Sequence, residues 1–309
     1  MGRCDLTDAE WERLRPFLPV SNRRCGRWRD HRQVIDGILH RVRTGVQWRD
    51  LPERFGPWKT VYERHRLWSA DGTWERLLQQ VQAAADAAGE IDWDISVDST
   101  IVRAHQHAAG ARRSAAGPRV KGGRTGGTPG RNAVAEPGRA PGGGGAAGEG
   151  LGRSRGGFTS KLHLSADGLC RPLSLIVTAG QRADCTQFKP VLEKIRVPRI
   201  GQGRPRKKPD SLAADKAYSN GPCREYLRRR GIRHTIPEKT DSQAARLRKG
   251  TRGGRPPGFD EDRYKQRNTV ERTINRLKQS RAVATRYDKR GYVYLGTATA
   301  AALTIWLRT

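Results

Sequence analysis

Apolar residues recur at helical spacing through the first 90 residues of the chain. Trp11, Leu14 and Leu18 share one helix face. A second helix carries an aliphatic stripe that ends before Gly45, a residue typical of helix ends: Val34, Ile35, Ile38, Leu39 and Val42. Two more helices are predicted at residues 59–68 and 74–87. The pattern therefore predicts an all-α domain over residues 1–90.

Beyond residue 90 the helical spacing gives way to alternation. Residues 91–98 alternate apolar and polar side chains with period two, which predicts a strand that ends at Asp98. A short apolar run, 212–214, predicts a second strand that ends at Asp215. The remaining predicted elements are a hairpin of strands 159–165 and 172–178, a helix at 187–195, a strand at 232–236 and a closing helix at 295–307. Residues 91–309 are therefore predicted to form an α/β domain around a mixed sheet.

A polar stripe near the C-terminus surrounds one acid with cations. Tyr264, Arg267, Glu271 and Lys278 fall on one side of a single predicted helix, beside an apolar stripe that would pack inward. A solvated face of salt bridges normally mixes acids with bases, whereas here Glu271 stands alone among arginines and lysines. The pattern by itself leaves a functional carboxylate and an ordinary solvated face as equal alternatives.

Two further acids follow predicted strands directly. Asp98 and Asp215 would both lie at the carboxyl ends of strands, where α/β sheets place their functional sites. Asp92 and Asp94 share the strand face of Asp98 and are its rivals. Four strand residues span about 13 Å, so Asp94 and Asp98 cannot both serve one metal pair. Two other acids, Asp167 and Asp184, are interpreted as loop residues.

The chain resembles the insertion-sequence DDE transposases of the IS4/IS5 type. The resemblance rests on ordered motifs and covers nearly the whole chain. They are Val97-Asp98-Ser99-Thr100, Ala214-Asp215-Lys216-Ala217-Tyr218, the spaced set Tyr264, Arg267, Glu271 and Lys278 with its flanking Asn268 to Arg272, and Ala284-Thr285-Arg286-Tyr287-Asp288-Lys289. The Asp-Ser-Thr context favours Asp98 over its two rivals as the first acid. The resemblance implies a ribonuclease-H-like catalytic domain behind a helix-turn-helix-like N-terminal domain.

The resemblance also implies that Asp98, Asp215 and Glu271 are catalytic and bind two Mg²⁺ or Mn²⁺ ions. Asp98 would bridge the pair, and Asp215 and Glu271 would each hold one ion. Two such ions about 4 Å apart activate water, stabilise the leaving oxygen and neutralise the crowded phosphate. Mg²⁺ prefers oxygen ligands and keeps several waters, so three carboxylates suffice.

The implied function is DNA transposition. Such a protein binds the terminal inverted repeats of an insertion sequence, cleaves the ends as an endonuclease and joins the freed 3′-hydroxyl to target DNA. A homodimer on double-stranded DNA is expected, because two ends are cut in concert. The alternatives are a catalytically silent DNA-binding repressor derived from a transposase, and an RNA-directed ribonuclease on the same fold.

The charge balance supports a polyanionic partner. The chain has 309 residues with 60 Lys and Arg against 31 Asp and Glu, for a formal net charge of +29 and a pI near 11.0. Five cysteines show no paired spacing, which indicates neither a zinc site nor a disulfide framework. No stretch is long and apolar enough to span a bilayer. We therefore expect a bacterial cytoplasmic protein that is associated with the nucleoid when bound to DNA.

Three groups of residues are candidates for DNA contacts. The third predicted helix would expose Lys59, Arg64 and Arg66 in the manner of a recognition helix in the major groove. A small helical bundle with a tryptophan core is the alternative. Residues 203–209 resemble a hook for the minor groove and precede the strand of Asp215, although a generic basic loop would look the same. Its candidate DNA contacts are Arg204, Arg206 and Lys207.

The third group lies beside Glu271. Arg267 and Lys278 would contact phosphates or steer the carboxylate, and Tyr264 would stack on a base. Plain surface charge and an ordinary packed tyrosine are the alternatives.

Residues 108–157 interrupt the predicted catalytic domain. They are dominated by Gly, Ala, Arg and Pro, a composition that buries too little apolar surface to offset its ordering entropy. We interpret this stretch as a flexible insertion, either draped along DNA or tolerated without a role. Its length is the main departure from the family pattern.

Overall fold

The structure is a computed structural model, and it describes residues 5–20, 28–109, 149–154 and 157–309. The predicted flexible insertion at residues 108–157 falls largely outside these ranges. The described chain forms four N-terminal helices followed by a mixed sheet and its flanking helices. The predicted order of an all-α segment before a mixed α/β segment is thereby confirmed.

The N-terminal helices follow the predicted pattern, except that the first ends at Leu14 and does not reach Leu18. They are α1 (Asp8–Leu14), α2 (His31–Thr44), α3 (Trp58–Ala70) and α4 (Thr73–Ala87). Thr7 caps α1 through a reciprocal pair of hydrogen bonds with Glu10. Gly45 ends α2 in the left-handed conformation that glycine adopts at low cost.

In the described residues the sheet has seven strands, built around three neighbouring antiparallel strands and two parallel ones. The strands of the sheet and the helices between them are, in chain order, β1 (Asp94–Ala104), the short helix α5 (Gln106–Ala109), β2 (Gly152–Ser154), β3 (Gly157–Ala166), β4 (Pro172–Ala179), α6 (Phe188–Lys194), β5 (Ser211–Ala214), α7 (Gly221–Arg229) and β6 (Arg233–Thr235). The strand order is β4-β3-β1-β5-β6, with β2 beside β3. β1 is antiparallel to β3 and parallel to β5, and β5 is parallel to β6.

The C-terminal elements close the structure over this sheet. They are α8 (Thr240–Arg248), α9 (Glu261–Lys265), α10 (Asn268–Lys278), α11 (Arg281–Ala284), β7 (Thr285–Arg286) and α12 (Gly291–Leu307). β7 pairs with the end of β1 in parallel. Within the described ranges, no helix combines the length and apolar character needed to cross a membrane.

The prediction that the first strand ends at Asp98 is wrong. β1 continues to Ala104, because antiparallel β3 pairs with it as far as Arg103 opposite Thr159. The parallel partner β5 stops earlier, since its last pair joins Val97 to Ala214. Asp98 therefore lies in mid-strand, at the point where one neighbour departs and leaves room beside the carboxylate.

The single helix predicted around Glu271 is also wrong. The chain forms two helices, α9 and α10, joined by a tight turn at Gln266 and Arg267. The turn contains hydrogen bonds between residues three positions apart, such as that from the Arg267 N–H to the Tyr264 carbonyl. Tyr264 and Glu271 consequently belong to different helices, and Arg267 occupies the corner between them.

Helix α12 joins the two halves of the chain. It packs against α3 and α4 on one side and against β4 on the other, and nearly every side is buried. Trp68, Trp74 and Trp306 are among the largest fully buried side chains. The N-terminal helices therefore share one hydrophobic core with the rest of the protein. The division at residue 90 into a DNA-binding and a catalytic domain stays a prediction about function.

A chain of buried hydrogen bonds fixes this junction. The Trp74 indole N–H donates to His65 Nδ1 at 3.1 Å, and His65 Nε2 contacts the Thr297 hydroxyl at 3.1 Å. Thr297 in turn donates to Asp288 at 3.0 Å, and Arg41 pairs with the same carboxylate at 3.2 Å. Burial lowers the pKa of His65 to about 4, so the ring is neutral here.

Candidate active site

The strand register brings Asp98 and Asp215 side by side. Val97 is paired with Ala214 on parallel strands, so the next residue of each chain is an aspartate. Adjacent strands lie about 4.8 Å apart. Both carboxylates are half-buried. Two acids separated by more than a hundred residues thus become neighbours through the β1–β5 ladder.

Helix α10 covers the same face of the sheet and carries the third acid. Its first turn approaches β1, where the Thr269 hydroxyl lies 3.4 Å from that of Ser96. Side chains alternate along a strand, so Ser96 and Asp98 share a face. Glu271 lies half a turn further along α10 and is exposed. The buried residues Val270 and Leu277 hold the helix against the core.

Arg267 lies between two of the acids. One guanidinium nitrogen is 2.7 Å from Glu271 Oε1, and another is 3.5 Å from Asp98 Oδ2. The Tyr264 hydroxyl lies 3.5 Å from Asp215 Oδ1, and Arg267 stands over the Tyr264 ring at 5.5 Å. The α9–α10 corner therefore contacts all three candidate catalytic acids.

The environment of Asp98 disfavours its charged form. Burial raises its pKa above the ordinary value, and repulsion from Asp215 and Glu271 raises it further. The Ser99 N–H, which donates to Asp98 Oδ1 at 2.8 Å, and the Arg267 cation lower it. The repulsive contributions show that the three carboxylates interact electrostatically. A cation at this point would relieve that repulsion.

The donor set fits a hard divalent cation, although the side chains do not yet form a cage. Within the described ranges, no group of three His, Cys, Asp or Glu side chains is placed to hold a metal ion. The guanidinium of Arg267 lies between Asp98 and Glu271. Carboxylate oxygens are the ligands that Mg²⁺ and Mn²⁺ prefer. Coordination by all three acids stays a prediction, and it requires Arg267 to move aside.

A fourth acid near Asp98 escaped the sequence analysis. Asp184 was predicted to lie in a loop, but it is the first residue of a short 3-10 helix, Asp184–Gln187. Its carboxylate accepts a hydrogen bond from the Ser99 hydroxyl at 2.6 Å. Lys161 on β3 pairs with it at 3.0 Å, and His163 lies 3.8 Å away. Buried Tyr218 is close to Asp98 and Asp184, and burial raises its pKa well above the ordinary value. No local pattern in the sequence links these residues.

The rival acids have other partners. Asp94 contacts Arg263 at 2.7 Å and accepts a hydrogen bond from the Ser211 hydroxyl. Asp92 accepts a hydrogen bond from the Asp94 N–H at 2.9 Å. Asp167 is buried at the β3–β4 turn, where Arg171 pairs with it. These contacts support the choice of Asp98 as the first acid.

The predicted exposure on α3 is correct for two of the three cations, and their contact with DNA stays a prediction. Lys59 and Arg66 are exposed on α3. Arg64 is buried, with only 7% of its surface accessible, so the prediction that α3 exposes it is wrong. Its guanidinium lies 3.9 Å from the Trp28 ring centroid and 5.5 Å from that of Trp68. These contacts make Arg64 part of the helical core rather than a DNA-facing cation.

The basic segment 203–209 lies at the other end of the strands from the acids. Arg206 stacks over Trp93, just before β1, and pairs with Asp86 and Asp210. β5 then runs about 13 Å from its start to Asp215. The segment therefore precedes the strand of Asp215, as predicted, but is separated from the acids by the length of β5. Its contact with the minor groove of DNA stays a prediction. Three of its cations are exposed: Arg204, Lys207 and Lys208.

Lys278 lies further along α10, away from the acids. Its ammonium contacts the Ile101 carbonyl at 3.4 Å, and burial lowers its pKa. It therefore lies beside the half of β1 that extends beyond Asp98. A role in holding phosphates stays a prediction.

Comparison with known proteins identifies the family. A family model described as "Transposase DDE domain" matches residues 91–303, and one described as "Putative transposase of IS4/5 family" matches residues 6–78. The first match covers more than half of the chain. The chain belongs to the DDE transposases of insertion sequences. The predicted family is thereby confirmed, and with it a transposase function in coarse terms. No solved structure matches the chain significantly.

Individual relatives agree with this assignment. A putative transposase for insertion sequence element IS6501 of Brucella ovis is 27% identical over 49% of this chain and all of its own length. An uncharacterized 16.2 kDa protein of insertion element IS402 from Burkholderia cepacia is 36% identical over 34% of this chain and 76% of its own. An uncharacterized protein, y4sN, of Sinorhizobium fredii is 42% identical over 37% of this chain and 89% of its own.

The two arginines of α3 offer a matched test of these assignments. Arg64→Ala should lower the free energy of unfolding by about 2 kcal/mol, because a buried cation that stacks on two tryptophans is lost. Arg66→Ala, on the exposed side of the same helix, should change it by less than about 0.5 kcal/mol. Urea unfolding followed by circular dichroism measures both. Equal effects of the two substitutions would contradict the burial of Arg64.

Proposed function

We propose that this protein is a DNA transposase that binds the terminal inverted repeats of an insertion sequence. It cleaves the ends by metal-dependent phosphodiester hydrolysis and joins the 3′-hydroxyl to target DNA. The observation that supports this most strongly is the β1–β5 register, which sets Asp98 beside Asp215. Helix α10 then adds Glu271 through the shared contact with Arg267.

A ribonuclease-H-like fold for the catalytic domain is part of the proposal. The order of strands across the sheet supports this fold. In the order β4-β3-β1-β5-β6, three antiparallel strands lie next to two parallel ones. The first acid lies on the central strand and the second on its parallel neighbour. The third comes from a helix packed on the same face.

In this proposal Asp98, Asp215 and Glu271 hold the Mg²⁺ or Mn²⁺ pair. The bound ions would supply an activated water and neutralise charge on the phosphate. Arg267 balances the charge of Asp98 and Glu271 when the ions are absent, and it is free to pair with a phosphate once displaced. Tyr264, in contact with Asp215, limits how far that carboxylate turns.

The partner in this proposal is double-stranded DNA, both element ends and target. A formal net charge of +29 supports an affinity for DNA that falls steeply as salt is added. We assign end recognition to residues 1–90, with Lys59 and Arg66 as exposed cations of α3. A homodimer that acts at the nucleoid completes the proposal, since both ends require cleavage.

Substitution of the three acids tests the catalytic assignment. Asp98→Asn, Asp215→Asn and Glu271→Gln should each lower Mg²⁺-dependent cleavage of an inverted-repeat duplex by at least about 1,000-fold. DNA affinity should stay equal or increase, because a negative charge near phosphate is removed. Single-turnover cleavage on gels and binding by fluorescence anisotropy measure the two quantities.

Asp94→Asn is the matched control, because Asp94 lies on the same strand and face but pairs with Arg263. It should cleave within about threefold of the unsubstituted protein. Cleavage that persists in Asp215→Asn would refute the assignment. Binding to the repeats without any cleavage in the unsubstituted protein would favour the alternative of a catalytically silent repressor.

Asp184 is a positioning residue in this proposal. Ser99 donates its backbone N–H to Asp98 and its hydroxyl to Asp184, so one residue links the two carboxylates. Lys161 fixes Asp184 from β3. The orientation of Asp98 therefore depends on an acid that lies 85 residues from Ser99 in sequence. Such outer hydrogen bonds commonly set how well a ligand binds its metal.

Asp184→Leu should lower the single-turnover cleavage rate by about 10- to 100-fold and raise the Mg²⁺ concentration needed for half-maximal cleavage. Asp184→Asn keeps an acceptor for Ser99 and should recover most of the loss. DNA affinity should not change in either variant. A loss of rate with an unchanged Mg²⁺ requirement would show that Asp184 serves only the stability of the fold.

A further inference from the structure

A broad groove lies away from the acids, where three parts of the chain meet. Its volume is about 950 Å³. One wall comes from the turn before α3 and from α3 itself, another from residues 105–107 after β1, and the third from residues 287–293 before and within α12. The volume is at the upper end of the range for small-molecule sites and is ample for one nucleotide.

Aromatic side chains line this groove and face solvent. Trp58 is 36% exposed and Tyr287 is 38% exposed, among the larger values for aromatic residues in the described chain. The Tyr287 ring stacks on His105 with centroids 4.6 Å apart and planes 26° from parallel. Trp48 and Tyr62 form a second aromatic pair in the same wall as Trp58. Exposed flat rings grouped in one groove are typical of stacking platforms.

Cations complete the lining. Arg49 is exposed, and its guanidinium lies 5.8 Å from the centroid of Trp58. Lys289 is exposed on the opposite wall, next to Tyr287. Asp50 is the exposed acid of the lining, while Asp288 is buried and paired with Arg41. The exposed charge therefore favours an anion, and its combination with flat rings favours a nucleotide over a purely apolar ligand.

Strand β1 links the active site to the groove. Asp98 lies on that strand, and His105 follows its last residue, Ala104. Seven residues of strand span about 23 Å, which matches about seven nucleotide steps of duplex DNA. Lys278 contacts β1 between the two positions, at Ile101. A DNA segment held at the acids is therefore long enough to reach the groove.

We infer that this groove binds an unpaired nucleotide of the DNA substrate. The inference rests on the proposed function, which supplies DNA as the ligand, and extends it to a second contact site. The base would stack on the Tyr287–His105 pair and pack against Trp58, and Arg49 and Lys289 would neutralise the adjoining phosphates. An intact duplex hides its base faces, so stacking selects a nucleotide that has left the helix.

Binding to single-stranded DNA tests this directly. The probe is a fluorescent oligothymidine of about 12 nucleotides, compared with a blunt duplex of about 20 base pairs, both with the full-length protein in EDTA. Tyr287→Leu and Trp58→Leu should each weaken oligothymidine binding by about 5- to 100-fold, since a stacked base contributes about 1–3 kcal/mol. Duplex affinity should change by less than about twofold.

Two controls separate stacking from folding. Tyr287→Phe keeps the ring and should bind oligothymidine within about twofold of the unsubstituted protein. Leu67→Ala removes an exposed apolar side chain from α3 outside the groove lining and should have no effect. Thermal melting shows whether each variant folds. If Tyr287→Leu is unstable, Trp58→Leu alone decides the test.

The inference is overturned if the leucine variants bind oligothymidine normally, or if they lose duplex and single-strand affinity equally. Normal binding would indicate that the groove serves another ligand, such as a protein partner. The binding measurements contain no metal and need no cleavage. A failure of the three acids to support cleavage would therefore refute the proposed function without deciding this one.

Discussion

Burial of Asp98 beside two other carboxylates is the constraint on which the site depends. Burial and two neighbouring carboxylates all raise the pKa of Asp98. Folding tolerates this arrangement because the β1–β5 ladder and the buried face of α10 hold the acids in place. Arg267 offsets part of the charge. A buried carboxylate with two acidic neighbours favours a positive charge at this point, supplied either by a bound cation or by Arg267.

A network of hydrogen bonds around Arg286 joins several elements of the structure. Arg286 is fully buried and donates to the Gly150, Asp288 and Lys289 carbonyls and to the Ser160 hydroxyl. Asp288 then receives hydrogen bonds from Arg41 and Thr297. The motif at residues 284–289 thus has a structural role, because it ties β3, α2 and α12 together. It also fixes the wall of the aromatic groove that carries Tyr287.

Local patterns in the sequence were sufficient for most elements. Helical spacing located α2 and α4, and Gly45 marked a helix end correctly. The alternation before Asp98 located the central strand, but not its length. That length depends on β3, whose pairing extends β1 to Ala104. Similarly, the turn that separates α9 from α10 has no glycine or proline to signal it.

The site was predictable where motifs carry it and hidden where contacts are long-range. Asp98, Asp215 and Glu271 stand in recognisable contexts, and the structure brings their neighbourhoods together. Asp184 has no such context, because its link to Ser99 exists only in three dimensions. Arg64 was misassigned for a related reason. Helical spacing predicts the direction in which a side chain leaves the helix. It does not show that Trp28 and Trp68 enclose Arg64.

Convergence of the three acids on a metal is the central claim, and localised cleavage of the protein tests it most directly. Fe²⁺ substituted for Mg²⁺, with ascorbate and peroxide, generates radicals that cut the backbone close to the bound ion. We expect cuts near residues 98, 215 and 271 in the same sample, all suppressed by excess Mg²⁺. Cuts at one of these positions alone, or only at unrelated acids, would contradict a shared metal site.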